Sequence, residues 1–141
     1  MAKAGLPAAV QMATVLDASA LLALFNDEPG AQPVLDALEA GACLVSAVNQ
    51  TEVLTKLLDK GLSEAEAASV MTSVDIEVVA FDSSQSASAA WLRRETRSAG
   101  LSLGDRACLA LAQSRKAAVL TADRPWLQVA DAVGVAVRCI R

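Results

Sequence analysis

The 141 residues include no histidine and no tyrosine. Without histidine there is no Ser-His-Asp or Cys-His triad, no imidazole general base and no His-containing zinc site. Carboxylates, lysines, hydroxyls and thiols are what remain for chemistry near neutral pH. Aromatic side chains are scarce, namely Phe25, Phe81, Trp91 and Trp126. Base stacking therefore has little to draw on, and Trp91 and Trp126, on apolar helical stripes, read as core or interface residues. The three cysteines, Cys43, Cys108 and Cys139, are far apart and lack any CxxC spacing. They read as small buried hydrophobes in a reducing cytosol, which makes the chain cytoplasmic. No apolar run reaches the roughly 18 residues a membrane helix needs. The opening "MAKAGLPAAVQMATVL" is a poor secretory leader, because Pro7 and Gln11 interrupt it and cleavage near "ASA" would delete the first strand. Residues 1–12 read as a loose arm or extended start, and 13–141 as one domain.

Apolar residues make up 54% of the chain, enough for a sizeable core without staples. The net charge of −4 is unevenly spread. Residues 1–90 hold three basic and twelve acidic side chains, whereas residues 91–141 hold nine and four. The basic third includes Arg93, Arg94, Arg97, Arg106, Arg115, Lys116 and Arg124. Such a run is either a set of solvated helix faces or a local surface for a polyanion.

Strands are expected at 13–16, 42–48, 76–81, 117–122 and 135–140. Helices are expected at 18–25, from Pro29 to Gly41, and at 49–61, 63–74, 83–100, 103–116 and 125–133. Ser63 and Glu66 have capping-box spacing. Strands alternating with helices imply an α/β fold whose parallel sheet is covered on both faces.

In "TVLDASALLALF" (14–25), Asp17 stands between a buried strand and an amphipathic helix. An unpaired carboxylate there costs several kcal/mol. Glu52, Asp105 and Asp123 are similarly placed. Each acid alone has an ordinary explanation: Asp17 and Asp123 as helix caps, Asn49 with Glu52 and Ser102 with Asp105 as capping boxes. Asp82 reads the same way. Together, four of them say more. Asp17 and Asp123 follow strands one and four, and Glu52 lies one turn past strand two. Asp105 heads a helix of about 17 Å that returns antiparallel to strand four. All four then lie at the carboxyl edge, the ligand crevice of open α/β sheets. Their lateral convergence depends on strand order. Oxygen donors without imidazole or a paired thiolate favour a hard cation, Mg²⁺ or Mn²⁺. On this reading Asp17 is offset by a metal rather than by a side chain.

"VLDASALLALF", "NQTEVLTKL", "LSLGDRACLALA" and "VLTADRPW" resemble the signature blocks of PIN-domain ribonucleases and, more narrowly, of the VapC toxins of bacterial VapBC toxin–antitoxin pairs. The likeness runs from about residue 14 onward; the N-terminal dozen residues are a departure, since members of that family usually lack them. The resemblance implies a three-layer α/β/α fold with a five-stranded parallel sheet in the order 3-2-1-4-5. It implies a metal-dependent endoribonuclease, with Asp17, Glu52, Asp105 and Asp123 on the family's four acidic positions and Ser19 and Thr121 on hydroxyl positions. Asn49 and Arg106 flank that site. It also implies homodimers and a cognate VapB-type antitoxin.

The mechanism expected is hydrolysis of an RNA phosphodiester by a metal-activated water. Asp17, Asp105 and Asp123 are the preferred ligands, with Glu52 acting through water or as a base. Arg93, Arg94, Arg97, Arg106 and Arg124 are candidates for holding the RNA backbone. A receiver-like domain would want an acidic pair after strand one and a late lysine, and a HAD-type phosphatase would want DxD. Here the chain reads Asp17-Ala18-Ser19 and "VLTAD". A non-catalytic PIN-like or receiver-like protein-binding module is the remaining alternative.

Overall fold

The computed structural model describes residues 13–141; the expected N-terminal arm (1–12) lies outside the described residues. Five parallel strands form one sheet: β1 (Thr14–Leu16), β2 (Cys43–Ser46), β3 (Glu77–Val79), β4 (Ala118–Thr121) and β5 (Val137–Cys139). Their order is β3-β2-β1-β4-β5, as expected, with β1 between β2 and β4.

Strand alternation explains the layers. Successive side chains of a strand point to opposite faces. Val15, Leu44 and Val119 enter one core, while Leu16, Val45 and Leu120 enter the other. The second core is roofed by α1 (Ala18–Phe25), α2 (Ala31–Ala40), α3 (Ala47–Asp59) and α4 (Glu64–Thr72). The first lies under α5 (Ser83–Trp91), α7 (Leu103–Arg115) and α8 (Ala130–Val133). The short α6 (Arg93–Thr96) and 3₁₀ turns at Arg97–Ala99 and Arg124–Gln128 complete the described elements.

Several boundaries differ from expectation for local reasons. Strand two is shorter because Ser46, not Asn49, caps α3, its hydroxyl accepting from Val48 N–H at 3.2 Å. The second helix begins at Ala31 rather than Pro29, because Gly30 is left-handed (φ 97°). A Cβ on Gly30 would collide with Ile140, so only glycine fits. The helix expected over 83–100 breaks after Trp91. There the Thr96 hydroxyl back-bonds to the Leu92 carbonyl at 2.8 Å, a contact that bends helices. Trp126 is core, but Trp91 is not, being 74% exposed. Cys43 and Cys108 are buried thiols as expected, while Cys139 is only half-buried. No described helix is long and apolar enough to cross a membrane.

Candidate metal centre

The register of β1 on β4 pairs Leu16 with Leu120, so the next residues, Asp17 and Thr121, face each other at the carboxyl edge. Thr121 Oγ1 donates to Asp17 Oδ2 at 2.6 Å, and Ser19 Oγ lies 2.7 and 2.9 Å from the two Asp17 oxygens. Both hydroxyls are oriented from behind. Ala122 N–H donates to Ser19 Oγ at 2.8 Å, and Asp123 N–H to Thr121 Oγ1 at 3.0 Å. Each hydroxyl accepts a hydrogen bond from backbone and donates one to Asp17. The Ala20 N–H donates to Asp17 Oδ1 at 2.8 Å, which makes Asp17 the cap of α1 as well. The expectation that no side chain offsets Asp17 is thereby corrected: two hydroxyls and a helix N-terminus do so in part. The offset is incomplete, since burial still pushes its carboxyl up to about 6, with Asp123 adding a small push.

Asp105 enters from α7. It closes a capping box with Ser102, whose N–H donates to Asp105 Oδ2 at 2.9 Å while its hydroxyl accepts from Asp105 N–H at 3.2 Å. Burial raises its carboxyl, the Ser102 bonds pull it back, and Asp123 pushes it up again. α7 turns into β4 through left-handed Lys116, so Asp105 returns to the height of Asp123. Asp123 precedes a 3₁₀ turn, but its carboxylate makes no cap bond. One oxygen each from Asp17, Asp105 and Asp123 lies within 4.8 Å of the others.

Glu52 stands outside this trio. It is the acceptor of Asn49 Nδ2 at 2.8 Å, and the same amide also donates to the Gly104 carbonyl at 3.0 Å, locking α3 to α7. The Asn49–Glu52 pair is therefore a bond inside a helix, not its cap. The Glu52 carboxylate occupies the space over Gly104 where a Cβ would be. Gly104 is the site residue that sequence reasoning missed. The available signal was a glycine in the second position of a helix, where alanine propagates helix better. Cys108 lies beneath the cluster. Burial raises its thiol well above the ordinary value, and Asp17, Asp105 and Glu52 all push the same way, so it stays a neutral S–H among the acids.

Of the arginine candidates, Arg93, Arg94 and Arg97 line one concavity. Arg106 and Arg124 are engaged elsewhere: Arg106 Nη1 donates to the Ala89 carbonyl at 2.9 Å and Arg124 Nη1 to that of Arg141 at 3.0 Å. Asp82 caps α5 through Gln85 N–H at 2.9 Å.

The donor set suits a hard divalent cation. It offers three carboxylates from separate elements, with no imidazole or thiolate ligand. Among the described residues the ion pairs are Arg115–Glu77 and Arg141–Glu28, so none of these acids is in a salt bridge; the Arg106 charge pulls Asp105 down, but it comes last among the influences on that carboxyl. Beside Glu52, Asn49 Oδ1 is buried and unbonded, an acceptor of the kind an ordered water satisfies.

An α/β/α domain with clustered acids at the carboxyl edge of its sheet is the class these features define. A family model described as PIN domain matches residues 14–132, and the chain belongs to the PIN-domain family. Similar folds occur in the DNA-bound VapBC complex of Salmonella typhimurium (17% identity, 93% of this chain and 100% of that one, TM-score 0.70). They also occur in Rickettsia felis VapBC2 bound to a promoter DNA fragment (15%, 91% and 98%, 0.70) and in VapBC-1 of nontypeable Haemophilus influenzae (15%, 92% and 98%, 0.66). No curated protein sequence matches the chain significantly.

Proposed function

We propose that this chain is a Mg²⁺- or Mn²⁺-dependent endoribonuclease, the toxin of a VapBC-type toxin–antitoxin pair. The observation that carries the reading is the meeting of Asp17, Asp105 and Asp123, three acids distant along the chain, within 4.8 Å and with no salt bridge to any of them among the described residues. These three would hold the cation. When bound, it supplies charge neutralisation at the phosphate and lowers the pKa of a water.

The chain's own groups have distinct tasks. Ser19 and Thr121 fix the orientation of the Asp17 carboxylate. Ser102 does the same for Asp105. Asn49 holds Glu52, which is the candidate to accept a proton from water, since no histidine exists to do so. The VapBC complexes it resembles support a VapB-type antitoxin as partner; a second copy of the chain and a cytoplasmic setting are part of the same reading, drawn from the likeness of its sequence blocks to VapC toxins.

The test is incubation of the purified protein with end-labelled single-stranded RNA, with Mg²⁺ or with EDTA. Cleavage leaving a 5′-phosphate and a 3′-hydroxyl is expected with Mg²⁺, and loss of it in EDTA and in Asp105→Asn. Equal cleavage by Asp105→Asn, or cleavage in EDTA, overturns the reading.

A further inference from the structure

We infer that the arginine-lined cavity at Trp91 is a docking subsite for single-stranded RNA, with Trp91 as the base-stacking platform. This inference rests on the ribonuclease reading above and adds to it a place where the substrate is held outside the carboxylate cluster. The cavity measures about 650 Å³ and is lined by Ala90, Trp91, Arg93, Arg94, Glu95 and Arg97.

Trp91 is 74% exposed in a chain whose other tryptophan is buried. Exposing an indole forgoes the stabilisation that burying it brings, and the core holds Trp126 well enough to show that exposure is not forced. Around it, Arg93, Arg94 and Arg97 are exposed and form no ion pair among the described residues. The break after α5 builds the concavity. Leu92 and Thr96 turn inward, and the Thr96–Leu92 back-bond holds that turn. The arginines are thereby left on the outer side, against the same hollow as the indole.

The subsite is tied at both ends to the helix that carries Asp105. The carbonyl of Ala89, next to Ala90 in the cavity wall, accepts from Arg106, the neighbour of Asp105. Arg97 leads within five residues to Ser102, whose N–H holds the Asp105 carboxylate. A strand docked in the cavity is therefore beside the element that presents one of the acids. The chemistry favours unpaired RNA. An indole face takes any base that is free of its neighbours, guanidinium groups take the phosphates, and a duplex hides its base faces. A chain of net charge −4 also needs such a local positive surface to attract a polyanion. An acidic peptide would use the arginines but would have no need of the indole.

The experiment uses the full chain in EDTA, with tryptophan fluorescence followed on titration with oligo(U), the same RNA as a duplex, and poly-glutamate. Oligo(U) is expected to quench Trp91 and the duplex to bind more weakly. Because these variants lack the reporter indole, affinities are read by anisotropy of a 5′-labelled oligo(U): Trp91→Ala is expected to weaken binding about tenfold, with Trp91→Phe in between. Replacing Arg93, Arg94 and Arg97 by alanine is expected to flatten the slope of log affinity against log salt by about 2. If Trp91→Ala and the triple variant bind oligo(U) as tightly as the parent while the parent cleaves RNA with Mg²⁺, the subsite is refuted and the ribonuclease reading survives. If the parent neither binds nor cleaves RNA, the ribonuclease reading itself fails. Quenching by poly-glutamate alone, or by raised protein concentration alone, assigns the surface to an acidic peptide or to a second copy and overturns the proposal.

Discussion

Thr121 Oγ1 donates to Asp17 Oδ2 at 2.6 Å across 104 residues of chain, and accepts from Asp123 N–H in return. One hydroxyl thus fixes two of the three clustered acids. Thr121→Val keeps the volume and removes both bonds. It is expected to cost about 1–3 kcal/mol in urea unfolding at neutral pH, because a buried carboxylate and an N–H lose a partner. RNA cleavage should fall with it. Thr121→Ser should restore most of both.

The Asp17 carboxyl, pushed up to about 6, sets a pH dependence of defined sign. The folded chain holds this proton more tightly than the unfolded chain. The ionised group therefore destabilises the metal-free fold above about 6, and that penalty fades as pH falls toward the ordinary value of 3.8. The span corresponds to about 3 kcal/mol. Asp17→Asn is expected to remove this slope, to stabilise the metal-free protein above that range and to abolish RNA cleavage. Unfolding curves with EDTA at a series of pH values would reveal it. Mg²⁺ should stabilise the parent by about 1.4 kcal/mol per tenfold excess over its Kd, and the variant far less.

Gly104→Ala tests the Glu52 position separately from folding. The added methyl claims the space of the Glu52 carboxylate, the mobile end of a flexible side chain, so the side chain yields rather than the backbone. Stability should change by less than about 1 kcal/mol, helped by the better helix former. Cleavage should drop on the order of 100-fold, the scale of a misplaced reacting group. Unchanged cleavage would remove Glu52 from the reaction.

Thiol labelling checks the packing beneath the acids. Cys43 and Cys108 are buried and Cys139 half-buried. One rapid modification, at Cys139, is expected in the native protein, with the other two appearing only on unfolding. Fast labelling of Cys108 would mean that the floor of the cluster is open.

The carboxyl-edge position of the acids was legible because it follows from strand ends and helix length. Asp105 meets Asp123 by arithmetic on rise per residue, and the structure brings their oxygens together. The sheet order was legible only through the family likeness, since no local pattern orders parallel strands. What stayed hidden was set by tertiary contacts. Nothing in "DASAL" or "VLTAD" announces that backbone amides of residues 122 and 123 orient two hydroxyls toward Asp17. The capping-box spacing of Asn49 and Glu52 was misleading, because Ser46 takes the cap and frees the amide to bridge to Gly104. Trp91 sits at helical spacing that promised burial, and the bend at Leu92 and Thr96 turned that expectation around.

The lattice of hydroxyls and amides around Asp17 bears on timing as well as orientation. Its members lose their rotational freedom when β1 meets β4, so little is left to be immobilised when a small charged visitor arrives. Capture should then be rapid, limited by shedding of the visitor's water shell rather than by rearrangement of the pocket.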